Sequence, residues 1–238
     1  MAQTAVMLKP RPQPAAGRHD LYAQIHKGLR SFMADTLCTI GRLDAADEVE
    51  LTEGAAQLRG LLGLCRGHLE HENDFVHAAM EARRPGATAQ AAGEHVHHLR
   101  SIEALEADLR ALERAEGEAR AAAALELYRS LALFVAENLE HMHHEETAHN
   151  ALLWEAYSDA ELEAIEGALV ASIAPDEMAA VARWMLPAMT AADRAAKLSE
   201  MQPVLPPQAF AGILAMLKGQ LSERDWYKLG AAIGPLAA

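Results

Sequence analysis

Cysteine is almost missing from this chain: Cys38 and Cys65 are the only two in 238 residues, and no CxxC joins them. A disulfide framework and a thiolate zinc site are excluded, and a reducing cytoplasm fits, with both thiols expected as small buried apolar residues. Basic charge is scarce as well. Lys and Arg number 21 against 34 Asp and Glu, a formal net charge of −13. No basic patch exists to displace phosphate counterions, so a nucleic-acid partner is not expected. No apolar run approaches the roughly 20 residues a membrane span needs, so neither is a membrane. P-loops, nucleophile elbows and dinucleotide fingerprints are lacking. The His-Glu dipeptides at His71-Glu72 and His144-Glu145 lack the second His of HExxH, which excludes that zinc-peptidase geometry. Aromatics make up only 5%, while Ala, Leu and Glu are abundant, a composition that favours helix.

What the chain does have is histidine. Ten of its 12 histidines fall between His68 and His149, and the pattern His-x-x-His-Glu occurs twice, at His68–Glu72 and His141–Glu145. Residues four apart share a helix face, so each copy places one imidazole beside one carboxylate. Such a pair can bind one ion while the second carboxylate oxygen reaches another. His71 and His144 hold the same intermediate place in both copies and add candidates on nearly the same face. A lone His-x-x-x-Glu is usually a solvated pair; two matching copies are a different matter.

The apolar spacing predicts an all-α chain. Residues 1–18, with Pro10, Pro12 and Pro14, read as a disordered arm. A first helix is expected over residues 20–40, where Leu21, Ile25, Leu29, Phe32, Met33 and Leu37 repeat at i, i+3/i+4. A second runs from about 49 to 83 and stops at Pro85-Gly86. Its Gly54, Gly60, Gly63 and Gly67 allow close approach of a neighbour. A third spans about 88–116 and a fourth about 118–157. Short connections between long helices imply an antiparallel up-down-up-down bundle over residues 19–157. From Ser158 onward helices are shorter, opened by a capping box at Ser158-x-x-Glu161, by Pro175, by Thr190-x-x-Asp193, by Pro206-Pro207 and by Ser222-x-x-Asp225. Residues 158–238 hold no histidine and read as a helical extension. Its Trp184, Met185, Met189, Phe210, Trp226 and Tyr227 suggest core or an interface with a second copy or a protein partner.

Counting about 1.5 Å of rise per residue from each turn, His26, His68, His95 and His141 fall at one level of the bundle within the error of the helix ends. Four helices can therefore deliver His or Glu to one layer. Burying so many ionisable groups unpartnered is very costly, and a metal pair offsets that cost. Imidazole and carboxylate without thiolate suit non-haem iron, then manganese or zinc. His98 faces the core beside His95, as a ligand or a hydrogen-bond donor. His77, His97, His143 and His149 read as surface residues or as donors around the ligands, and His19 as exposed.

The stretch His68-Leu69-Glu70-His71-Glu72, Glu94-His95 opening a Leu-periodic helix, His141-Met142-His143-His144-Glu145-Glu146, and His26 followed by Leu29-Arg30 resemble the hemerythrin-like (HHE cation-binding) family. The resemblance covers about residues 19–157. It implies a bridged pair of iron ions that binds or senses O2, NO or peroxide. Matched residue by residue, it implies His26, His68, Glu72, His95, His141 and Glu145 as ligands, the two glutamates as bridges. The oxygen-carrying members place two histidines four apart on the third helix, whereas His95 and His98 are three apart here. Their fourth helix uses an Asp five residues after its His, whereas Glu145 is four after His141. More carboxylate favours higher iron oxidation states and directs the reading toward sensing, peroxide chemistry or iron handling. A di-iron peroxidase or oxidase, or a metal-dependent regulatory interaction protein, stand as alternatives.

Overall fold

The helical periodicity is realised throughout. The computed structural model describes residues 17–234; most of the arm expected over residues 1–18 lies outside that range. No strand occurs among the described residues. Helix α1 spans Ala23–Gly41, and Asp20 Oδ1 accepts from the backbone N–H groups of Tyr22 and Ala23 at its start. Helix α2 spans Glu48–His71, capped by the Asp47 side chain on Val49 and Glu50 N–H. It does not run on as plain α-helix to residue 83. A π-helical turn, Glu72–His77, separates it from α3, Ala78–Arg83. Helix α4 covers Ala89–Arg114 and α5 covers Gly117–His144. A second π turn, Glu145–His149, then leads into α6, Asn150–Ala156. Each π turn begins on the glutamate of a His-x-x-His-Glu copy. Turns of this kind insert a residue into the helical ladder and are frequent at functional sites.

Contacts run from α1 to α2, α2 to α4, α4 to α5 and α5 back to α1. The Leu stripes meet inside this ring: Leu29 and Met33 of α1, Leu58 and Leu62 of α2, Ile102 and Leu105 of α4, Leu127 and Leu131 of α5 are all buried. A smaller apolar group forms at the other end, from Tyr22, Val76, Met80, Leu153 and Leu162. The histidine level lies between these two apolar layers.

The capping signals after Ser158 are all used. Helix α7 (Asp159–Ser172) has its Ser158/Glu161 box, α8 (Pro175–Ala188) starts on Pro175, and α9 (Ala191–Met201) is capped by Thr190. Helix α10 (Pro207–Gln220) follows Pro206, and α11 (Glu223–Ile233) is capped by Ser222. Leu186, Met189, Leu198, Phe210, Leu217 and Leu229 form a core of their own, with Trp226 against it. Helix α8 joins both cores. Its Trp184 stacks on Phe32 with ring centroids 3.9 Å apart, and Val181 enters the larger core. Gly28 makes this contact possible, because a Cβ there would stand 2.8 Å from the Met185 Cα. Arg18 ties the N-terminal side to α7 through Asp159 and to the end of α6 through the carbonyls of Trp154 and Tyr157.

One expectation fails. Cys38 is exposed while Cys65 is buried, since Cys38 falls beside the α1 stripe rather than on it. Of the aromatics read as core or interface, Tyr227 is not core: it is 78% exposed, its neighbour Trp226 taking the inward place on α11. No helix among the described residues is long and apolar enough to cross a membrane.

Candidate metal centre

Each of the doubled motifs presents its His and Glu on one face, as i,i+4 spacing requires. His68 Nε2 lies 3.2 Å from Glu72 Oε1, and His141 Nε2 lies 3.3 Å from Glu145 Oε1. The other helices complete the arrangement. His26 Nε2 of α1 is 3.6 Å from both Glu72 Oε1 and Glu145 Oε2. His95 Nε2 of α4 is 3.6 Å from both Glu72 Oε2 and Glu145 Oε1. Glu72 and Glu145 thus each turn one oxygen toward His26 and one toward His95. Two groups result, His26/His68/Glu72/Glu145 and Glu72/His95/His141/Glu145. In each, the ligand atoms lie within 4.8 Å of one another.

These side chains are buried, except His68, which is partly exposed, and among the described residues neither oxygen of Glu72 or Glu145 has a hydrogen-bond partner, nor do Nε2 of His26 and His68. Buried carboxylates left bare are very costly. The outer ring nitrogens are well held. His26 Nδ1–H donates to Glu146 Oε1 at 3.2 Å, and Arg30 clamps the same carboxylate at 2.5 and 3.0 Å. His95 Nδ1–H donates to Asn73 Oδ1 at 2.9 Å, and His141 Nδ1–H to Glu94 Oε2 at 2.8 Å. The Nε2 atoms of His95 and His141 lie 3.0 Å apart, close enough to share one proton between them or to turn both lone pairs on one cation in its place. Carboxylate or amide behind a ligand imidazole is the usual support of a metal site. The buried donors fit a metal ion, and nitrogen plus oxygen without sulfur fits a first-row divalent or trivalent ion.

The electrostatics of the bare groups express the same crowding. Burial opposes the charged form of His26, but Glu146 and Glu72 outweigh it and raise its pKa to about 9. His141 is likewise raised to about 9, its burial overcome chiefly by Glu145. For His68, burial and the neighbouring His26 outweigh the Glu145 charge and push it well below the usual imidazole range. Burial and the Glu145 charge raise Glu72, while Glu145 is held well below the usual carboxylate range by His141 and His95, against its own burial. Burial opposes the charge on Glu146, but His26 and Arg30 bring that carboxyl down to about 2. Opposite shifts on two adjacent glutamates mark one site with an unevenly shared charge.

His26, His68, Glu72, His95, His141 and Glu145 are therefore brought together. His98 is not. It is buried, but its ring packs edge-on against His141 at 4.9 Å and against Phe134 at 6.2 Å, and it joins neither group. Three residues beyond His95, it points down the helix toward the larger core. His71 is drawn outward to Glu177 of α8 at 3.1 Å, and His97 is bound to Glu137. His19 is half-buried against Glu166. His77 and His149, read from sequence as surface residues or supporting donors, are both buried beside Glu145. His149 follows Glu145 by four residues, the same i,i+4 signal that marks the ligands, and so was legible; His77 was not. Asn73 and Glu146 are further residues that sequence reasoning missed. Each follows a ligand glutamate by one place and orients an imidazole from another helix.

A cavity of about 330 Å³ reaches His68 and Glu72 from the side of α7 and α8. Its walls are largely apolar, among them Ile25, Leu64, Val76, Ile165, Leu169 and Val181. Compared with protein-family models, with curated proteins and with solved structures, the chain finds no match.

Proposed function

We propose that this chain is a hemerythrin-like protein: an antiparallel up-down-up-down bundle of its long N-terminal helices around a non-haem di-iron centre that binds or senses a small ligand such as O2, NO or peroxide. The observation that carries the reading is the pair of shared glutamates, each offering one oxygen to each of two histidine pairs. When bound, the iron pair would supply redox-active positions open to a small ligand.

The residues provide the rest. His26 and His68 would hold one ion and His95 and His141 the other, with Glu72 and Glu145 bridging. Glu146, Asn73 and Glu94 keep the outer imidazole protons on Nδ1, so that Nε2 faces inward. The apolar layers around Leu69 and Met142 on one side and Val76 and Leu153 on the other exclude water. The cavity beside His68 gives a small uncharged molecule an apolar way in. Loading with ferrous ion under anaerobic conditions should give two tightly held irons per chain, magnetically coupled after oxidation. Clearly fewer than two, or two uncoupled ions, would overturn the reading.

One observation favours a second reading, a peroxidase or oxidase at the same centre. Tyr22 is buried, its hydroxyl 3.4 Å from His149 Nδ1 and its ring 5.2 Å from that of His26. Peroxide turnover with a reductant, lost in Glu72→Ala and reduced in Tyr22→Phe, would select it over plain ligand binding.

A further inference from the structure

His77 and His149 have no place in the pair just described, yet their setting is that of ligands. Both are buried, at 5% and 1% exposure. Among the described residues Nε2 of each lacks a hydrogen-bond partner. A buried imidazole normally spends its second nitrogen on a donor or an acceptor. Here both rings come from the two π turns, and they meet edge-on with centroids 5.5 Å apart. Ligand atoms of His77, His149 and Glu145 lie within 4.8 Å of one another. Three donors on one first-row ion stand about 3.0–3.6 Å apart, given bonds near 2.1 Å, so the three side chains need to close by no more than about 1–2 Å, within reach of rotamer adjustment.

We propose that His77, His149 and Glu145 form a third metal position beside the pair, a two-histidine, one-carboxylate site for a first-row divalent cation. This donor set with open remaining positions is a known way to hold ferrous iron, and it accepts Co²⁺ or Zn²⁺ on the same chemistry. Tyr22 OH, next to His149 Nδ1, fixes the orientation of that ring. Ring planes of His77 and His95 stack at 4.7 Å, which sets the third position directly alongside the His95/His141 group. The position is the weaker one. Glu145 is its only carboxylate and is shared with the pair, and ions already in the pair repel a further cation. Its affinity should fall about tenfold or more below theirs, so that it fills last and empties first.

The proposal adds to the di-iron reading and shares only Glu145 with it. The test is anomalous diffraction from crystals of the full chain soaked in Co²⁺, with a Co²⁺ titration followed by absorption in solution. The expected result is a separate peak within bonding distance of Nε2 of His77 and His149, and a weaker final equivalent in the titration. Both should vanish in the His77→Gln/His149→Gln double variant while the pair stays loaded. If that variant does not fold, the wild-type crystals decide alone. No density between His77 and His149 when the pair is filled overturns the proposal, and so does a double variant with undiminished stoichiometry. Density at the third position with none in the pair would instead overturn the di-iron reading and leave this one standing.

Discussion

The two halves of this molecule solve the burial problem in opposite ways. In the first, from α1 to α6, a layer of imidazoles and carboxylates interrupts an otherwise apolar interior, with bare ligand atoms at its centre. In the second, from α8 to α11, the interior is Leu, Met and Phe, and the one buried charge among its described residues, Arg194, donates to the carbonyls of Leu186, Pro187 and Met189. Arg194 completes the C-terminal end of α8, where carbonyls lack helical partners. The second half leaves only Arg194 Nη1 unpartnered among its described residues, whereas the first gathers several unpartnered imidazole and carboxylate atoms at one level. That difference says where stability should depend on a bound ion.

Metal removal should separate the halves most strongly. An ion present at about a thousand times its Kd stabilises the state that binds it by about 4 kcal/mol. Chelation should therefore lower the melting temperature of the α1–α6 region by many degrees, with a smaller loss in the α8–α11 core, which feels the change only through α8. Hydrogen exchange resolved by segment checks this. Equal loss of protection in both halves would break the comparison.

Core truncation comes next. Leu105→Ala, in the larger core, should cost about 2–5 kcal/mol in denaturant unfolding, with metal still bound in the folded fraction. Slightly smaller is Arg194→Met, which leaves the α8 carbonyls unpaired and should cost about 1–3 kcal/mol, with metal content unchanged. A drop in metal content with Arg194→Met would mean that the halves are coupled more tightly than their packing implies. Asn73→Ala acts the other way: it frees the His95 ring and should weaken metal affinity about 10–100-fold, with little effect on the metal-free fold.

The smallest effect concerns the turn between α3 and α4. Glu81 accepts from Gly86 N–H and from the N–H and hydroxyl of Thr88, which brings its pKa down to about 2. A depressed carboxyl contributes stability above its unfolded value near 4.5 and loses it as pH falls toward about 2. The Glu81→Gln variant should show a shallower acid decline across that window, read from thermal melts at stepped pH.

How much was legible in the sequence follows from which geometry each feature depends on. The ligand pairs depend only on i,i+4 spacing within one α-helix, and the four-helix level only on counting residues from turns. Both are properties of a regular helix, so His26, His68, Glu72, His95, His141 and Glu145 could be named together. The capping residues Ser158, Thr190 and Ser222 are local for the same reason. His77 depends on something else. In an α-helix it would sit about 140° round from Glu72; the π turn brings it back to the interior, and no residue pattern announces that turn. His98 shows the converse: facing the core is not facing the site, because three residues of α4 carry it to a different level. The packing of α8 on α1 rests on Gly28 meeting Met185, a long-range match between one small residue and one stretch of backbone. Nothing local to either segment reveals it.

The central claim is that Glu72 and Glu145 bridge two ions held by histidine pairs. X-ray absorption at the iron edge of the loaded protein tests it most directly. A bridged pair should give a shell of nitrogen and oxygen without sulfur, and an iron–iron vector of about 3.5–4 Å that disappears in Glu72→Ala. A nitrogen and oxygen shell with no iron scatterer, at full loading, would contradict it.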